Sequence, residues 1–209
     1  MSDERTGCAP RRPKPTLAQR REQRAASDDP AEVLDAAARF LEARPRSEAE
    51  VRRKLLLLGY RPDMVEEAVA KLLTVGYLDD DAFARAWVES RDRARPRGEH
   101  ALRRELGQKG VERALVDAVL DERREGAAVA AAADGDGAAN PDEAAAERLL
   151  AKKLGPILRE ADPRRRLQRA YALLARNGFA PDVCSTVAKR TLAASAEAAD
   201  EDLGGGPGA

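Results

Sequence analysis

The chain is short of the residues on which chemistry usually depends. Phe, Trp and Tyr together make up 3% of 209 residues, and there are one histidine, His100, and two cysteines, Cys8 and Cys184. So few aromatics argue against a β-rich fold, because sheets favour aromatic and β-branched side chains. Cysteines 176 positions apart supply neither a disulfide framework nor a four-ligand zinc site, and they suit a reducing cytoplasm. No Gly-x-x-x-x-Gly-Lys-Ser/Thr loop or strand-linked Gly-x-Gly-x-x-Gly loop occurs to cradle a phosphate. With no convergent set of reactive groups, the expectation is a binding protein rather than an enzyme, using no cofactor and no metal. The sequence also lacks a run of about 18 apolar residues, the length a membrane helix needs, and its N-terminus lacks the apolar stretch of a signal peptide. A cytoplasmic monomer is expected.

Net charge is absent too, since 37 basic residues meet 37 acidic ones. The chain as a whole is therefore not a strongly basic polyanion binder. The imbalance lies in the tails: residues 1–28 carry seven Arg/Lys against four Asp/Glu, while residues 194–209 carry four acids and no base. Residues 1–28 also hold Pro10, Pro13 and Pro15 with almost no apolar periodicity, so they are expected to stay unstructured. The same expectation covers the Ala/Gly/Asp insertion at 125–141, although Ala127–Ala133 could extend a helix, and the Gly-rich acidic end at 194–209.

What the chain does have is Ala, Leu, Arg and Glu at helical spacing, which predicts an all-α fold. Val33, Leu34, Ala37, Phe40 and Leu41 form one apolar stripe, begun by Asp29 as N-cap, Pro30 in the first turn and Glu32 as the distal arm of a capping box. Ser47-Glu48-Ala49-Glu50 reads as a second capping box ahead of Val51, Leu55 and Leu58, with Gly59 as the stop. Met64, Val65, Ala68, Val69, Leu72 and Leu73 form a third stripe closed by Gly76.

This triplet repeats. A shift of 51 takes Val51 to Leu102, Leu55 to Leu106, Gly59 to Gly110 and Val65 to Val116. A further shift of 68 takes Leu106 to Leu174, Gly110 to Gly178 and Val119 to Val187; the excess of 17 matches the insertion. The expected organisation is three tandem three-helix repeats, at 29–78, 79–124 and 142–193, sharing apolar surface as an elongated or curved array.

Few candidates for chemistry survive inspection. Asp79-Asp80-Asp81 could hold a cation, but before a helix it reads as an N-cap with favourable charge at the dipole. His100 reads as solvated, Cys184 and Trp87 as core, and Tyr60, Tyr77 and Phe179 as packing plugs beside turn glycines rather than base-stacking platforms. The basic residues stand out more. Arg52, Arg53 and Lys54 lie off the apolar stripe of their helix and recur as Arg103, Arg104 and the non-matching Glu105. Arg44 and Arg46 flank Pro45 as Arg95 and Arg97 flank Pro96, Lys109 ends the second repeat's middle helix, and Arg164, Arg165, Arg166 and Arg169 crowd the third's. These residues describe a charged edge that is either a solvated, salt-bridged face or a surface for an acidic protein groove or a nucleic-acid backbone.

Three ordered blocks carry a family resemblance: Arg44-Pro45-Arg46-Ser47-Glu48-x-Glu50-Val51-x-x-Lys54-Leu55; Gly76-Tyr77-Leu78-Asp79-Asp80-x-x-Phe83-Ala84; and Arg97-Gly98 followed by Leu102-Arg103-x-Glu105-Leu106-x-x-Lys109-Gly110-Val111. The chain resembles the RecX regulatory proteins of bacteria over about residues 30–123. The third repeat agrees in layout, including Arg176-Asn177-Gly178-Phe179, with a weak first helix. The resemblance implies an all-helical, non-enzymatic modulator that binds the RecA recombinase and its filament on single-stranded DNA, suppressing recombinase and coprotease activity in DNA repair and the SOS response. The charged edge read from the residues supplies the candidate partner-binding set: Arg44, Arg46, Arg52, Arg53, Lys54, Arg95, Arg97, Arg103, Arg104 and Lys109.

Overall fold

The computed structural model describes residues 16–134 and 140–204. Among them are eleven helices and no strand: α1 (Leu17–Ala25), α2 (Pro30–Glu42), α3 (Glu48–Leu58), α4 (Pro62–Thr74), α5 (Asp80–Ala94), α6 (Glu99–Gln108), α7 (Arg113–Asp134), α8 (Pro141–Ala151), α9 (Leu154–Leu158), α10 (Pro163–Arg176) and α11 (Pro181–Gly204). The fold is all-α, and its triplets are α2–α4, α5–α7, and α8, α10 and α11 with the one-turn α9 inserted. Two compact units result, one of Met1–Pro45 with Glu50–Leu78 and the other of Arg46–Ala49 with Asp79–Ala209.

Each triplet builds its own apolar core from the stripes read in the sequence. Val33, Ala37, Val51, Leu55, Val65 and Val69 are fully buried in the first. Phe83, Leu102, Leu106, Val116 and Leu120 are the heart of the second, and Leu150, Leu174, Cys184 and Val187 of the third. Small residues fill many remaining places, which is how so few aromatics suffice.

The turn between second and third helices is made the same way three times. Gly59, Gly110 and Gly178 have φ of 102°, 80° and 84°, a left-handed conformation that glycine adopts without penalty. The next amide closes the helix on the carbonyl five residues back, Tyr60 to Leu55 at 3.3 Å, Val111 to Leu106 at 3.2 Å and Phe179 to Leu174 at 3.4 Å. Tyr60, Val111 and Phe179 are buried against the helices they end. Gly76 is a fourth left-handed turn, with φ 75°. There the expected plug is wrong: Tyr77 is 73% exposed and Leu78, 2% exposed, takes the packing place.

The tails are more helical than their composition predicts. Helix α1 lies inside the 1–28 segment expected to be unstructured. A reciprocal capping box of Thr16 with Gln19 starts it, and Arg24 ties it to unit 1 by donating to the Leu58 carbonyl at 3.3 Å. Helix α7 runs through 125–134 of the insertion, and α11 passes the 193/194 boundary to Gly204. The rest of the expected unstructured segments, 1–15, 135–139 and 205–209, lie outside the described residues. Glu32 also departs from its expected capping role, accepting instead from Ser27 Oγ at 2.7 Å and Tyr60 Oη at 3.2 Å, while Asp29 caps Ala31 alone.

Candidate functional site

The repeated arginines divide into two kinds. In unit 1, Arg52 Nε on α3 donates to both carboxylate oxygens of Glu66 on α4, at 3.1 and 3.0 Å. In unit 2, Arg103 Nε on α6 donates to Asp117 on α7 at 2.9 Å, with Glu99 on its other side. Both pairs span 14 residues, so this arginine braces the second helix to the third in each of the first two repeats. Burial opposes the charge on Arg103, but Asp117 and Glu99 outweigh it and raise its pKa. The next arginine is different. Arg53 and Arg104 are exposed and make no ion pair or side-chain hydrogen bond among the described residues.

The other expected site residues are dispersed. Arg44 pairs with Glu50 at 3.2 Å, Arg46 is partly buried, and Arg95 is exposed after α5. Lys54 places its ammonium 5.7 Å from the centre of the Phe40 ring. In unit 2, Arg97 approaches Glu105 at 3.4 Å and also donates to Asn177. Lys109 and Arg91 lie 5.1 and 4.2 Å from the Trp87 ring centre, and Glu105 accepts from Trp87 Nε1 at 3.0 Å and Arg91 Nε at 2.6 Å. Trp87 is thus half-buried, packed on the second repeat's core and against Phe83, with charges holding its outer side. Glu105, conspicuous in the sequence only as a mismatch to Lys54, is the hub of this cluster. Of the ten residues, Arg44, Arg52, Arg53 and Lys54 belong to unit 1, and Arg46, Arg95, Arg97, Arg103, Arg104 and Lys109 to unit 2.

Three acids that could have suggested a cation site have separate tasks. Asp79 caps α5 by accepting from the amides of Asp81 and Ala82, each at 2.9 Å; Asp80 accepts the Glu48 amide at 2.8 Å; and Asp81 pairs with Arg85 at 2.9 Å. Asp142 repeats the task of Asp80 by accepting the Glu99 amide at 2.9 Å. Its other oxygen accepts from Arg123 at 2.7 Å, and Arg123 grips Asp92 with two hydrogen bonds of 2.8 Å. The side chains of Arg123 and Asp142 are only 8% and 9% exposed, so this pair is deeply buried. Periodicity could not identify this node, because Arg123 looks like any polar residue of a helix face.

A last basic feature is α10, which has five arginines and no acid within its 14 residues. Arg169 is paired with Glu160 at 2.8 Å and Arg165 lies 3.7 Å from Asp162, whereas the Arg164 and Arg176 side chains are exposed and unpaired among the described residues. His100 is exposed and Cys184 buried, with burial followed by Asp182 pushing the thiol pKa up. Among the described residues no three His, Cys, Asp or Glu side chains are grouped to hold a metal, and no helix is long and apolar enough to cross a membrane.

Comparison with known proteins gives this arrangement a family. Residues 34–72 match the description of the first three-helix domain of RecX, and residues 79–120 that of the second. Regulatory protein RecX of Streptomyces coelicolor is 32% identical over 154 residues, covering 74% of each chain. Regulatory protein RecX of Mycobacterium avium is 33% identical over 159 residues, covering 76% of this chain and 84% of the relative. The crystal structure of RecX from Lactobacillus salivarius shares the fold, with a TM-score of 0.63 at 20% identity over 78% of this chain and 96% of that one. With identity above three-tenths over three-quarters of its length, and with its first two helix triplets in register with the family's own, the chain belongs to the RecX family of regulatory proteins.

Proposed function

We propose that this chain regulates the RecA recombinase in the cytoplasm by binding RecA and its filament on single-stranded DNA as a monomer, lowering recombinase and coprotease activity without catalysing a reaction. Family membership supports the regulatory role. The observation that carries the binding surface is the pair Arg53 and Arg104: each sits next to an arginine used for internal bracing, yet neither is used by its own repeat. An exposed arginine held in reserve on matching helices suits charge-assisted contacts to acidic groups on a partner. Blocking filament extension or the secondary DNA path would then be steric and electrostatic. The test is RecA-driven ATP hydrolysis and strand exchange, titrated with this protein from sub-stoichiometric to stoichiometric amounts. Inhibition is expected; unaltered rates over a wide excess of folded protein would reject the reading.

A second reading, direct contact of DNA phosphates by the arginine-rich second helices, is favoured by the acid-free α10. Salt separates the two. Phosphate contacts release counterions, so affinity for DNA alone should fall steeply with salt and need no recombinase, whereas filament binding requires RecA.

A further inference from the structure

The second repeat carries a groove built from residues that differ from their counterparts in the other two. It lies between α6 and α7, has a volume of about 440 Å³, and is lined by His100, Arg103, Arg104, Gly107, Arg113 and Asp117 above the buried Val111 and Val116. A Cβ built on Gly107 would meet nothing within 4 Å, so the opening owes its room to a missing side chain. In the first repeat the matching position is Leu56, and in the third it is Ala175. Arg113 stands at the start of α7 where Pro62 and Pro181 start α4 and α11. Its side chain is 94% exposed and only 3.7 Å from Asp117, a carboxylate already engaged by Arg103. His100 replaces Ala49 and Gln168. Three departures from the repeat pattern therefore meet at one groove: one opens it and two add basic or titratable groups to its rim.

We propose that this groove is the docking site for an acidic protein segment that inserts one bulky apolar side chain over Gly107 while its carboxylates meet Arg104 and Arg113. This deepens the proposed function and rests on it, naming the kind of segment the RecA filament must offer. Charge complementarity selects the occupant, because the lining has three arginines against one aspartate and Arg104 has no partner of its own among the described residues. The apolar floor selects a protein over a nucleic acid: a phosphate backbone would use the rim and leave Val111, Val116 and the space over Gly107 unused, and the rim carries no exposed aromatic for a base to stack on. The matching positions elsewhere lack the combination, since Leu56 stands at the place of Gly107 in the first repeat, and Tyr171, Ala172 and Pro181 stand at those of Arg103, Arg104 and Arg113 in the third.

The groove can be closed without disturbing the fold. Gly107→Leu installs the residue of the first repeat in a helix that glycine weakens, so the melting temperature should hold or rise. Filament affinity of Gly107→Leu should fall roughly tenfold or more, and that of Arg104→Ala with Arg113→Pro by a similar factor. A parent that binds filaments and a Gly107→Leu variant that binds them equally would overturn the groove while leaving the proposed function standing. A second arm does not need RecA: fluorescence anisotropy with a labelled Glu/Asp peptide carrying a single Phe, the same peptide with Ser in place of Phe, and a single-stranded oligonucleotide. The parent should prefer the Phe peptide roughly tenfold, and Gly107→Leu should erase that preference. Equal binding of both peptides, no binding of either, or a groove response to the oligonucleotide alone each overturns the proposal, the last in favour of phosphate binding. If the parent ignores filaments yet shows the Phe preference, the groove stands and the RecA reading falls.

Discussion

A shift of 51 residues carries Leu55 onto Leu106, Gly59 onto Gly110 and the Arg52–Glu66 pair onto Arg103–Asp117, but it carries Leu41 and Leu72 onto Asp92 and Arg123. The first repeat closes that position with two leucines, one of them 6% exposed. The second closes it with a bidentate ion pair that also holds Asp142, the residue capping α6. All three repeats thus keep one core leucine and one left-handed glycine, and the first two also keep one brace. Elsewhere the same frame tolerates a switch from apolar to ionic packing, from Leu56 to Gly107, or from Pro62 to Arg113. The differences, more than the shared frame, indicate what each repeat is for.

The largest effect should come from the ionic node. Arg123→Ala leaves Asp92 and Asp142 without their buried partner and should cost about 3–5 kcal/mol of stability, read by chemical denaturation. Asp92→Leu with Arg123→Leu, which installs the first repeat's pair, should recover the part of that loss due to Asp92, while Asp142 stays without Arg123. If Arg123→Ala proves harmless, the two repeats do not differ at this position in the way described.

Core leucines come next and should behave alike. Leu55→Ala and Leu106→Ala, both fully buried, should each cost about 2–5 kcal/mol. A thermal melt in which only one matters would break the equivalence of the repeats. Below them stand the turns. A Cβ at Gly110 would lie 2.3 Å from the Ala49 Cβ, whereas one at Gly76 meets nothing within 4 Å. Both replacements by Ala suffer the left-handed backbone, roughly 1–2 kcal/mol, and Gly110→Ala should lower the melting temperature visibly further.

Much of this frame was legible in the sequence because its determinants are local. Asp29-Pro30 and the glycines at 59, 110 and 178 act within one turn of where they stand, and the apolar stripes show each helix its core. Helix α1 escaped notice because it has no buried residue; its one signal was Thr16 with Gln19. Tyr77 misled because an aromatic after a glycine resembles Tyr60, yet Leu78 reaches the core first. The candidate site was half legible. Repetition singled out the arginine pairs correctly as related positions, but only geometry separates the bracing Arg52 and Arg103 from the exposed Arg53 and Arg104. The Arg123 node joins residues far apart in sequence, and the Gly107 groove depends on a missing side chain, neither of which periodicity reports.

The smallest stability effect carries the sharpest functional contrast. Exposed ion pairs contribute a few tenths to about 1 kcal/mol, so removing Arg52, Arg53, Arg103 and Arg104 together should cost on the order of 1 kcal/mol. Nearly all of that should trace to Arg52 and Arg103, because Arg53 and Arg104 have no partner to lose. If binding uses the exposed pair, Arg53→Ala with Arg104→Ala should leave the melt unchanged and weaken filament binding by several kcal/mol.

The most direct measurement of the central claim is co-sedimentation of the parent and the Arg53→Ala/Arg104→Ala variant with RecA at about 0.1 M salt, with and without single-stranded DNA and nucleotide. The parent should pellet with the assembled filament and not with DNA alone, and the variant should largely remain in the supernatant. A parent that stays soluble beside assembled filaments, or that pellets equally with DNA alone, would contradict the assignment of this protein as a filament-binding regulator.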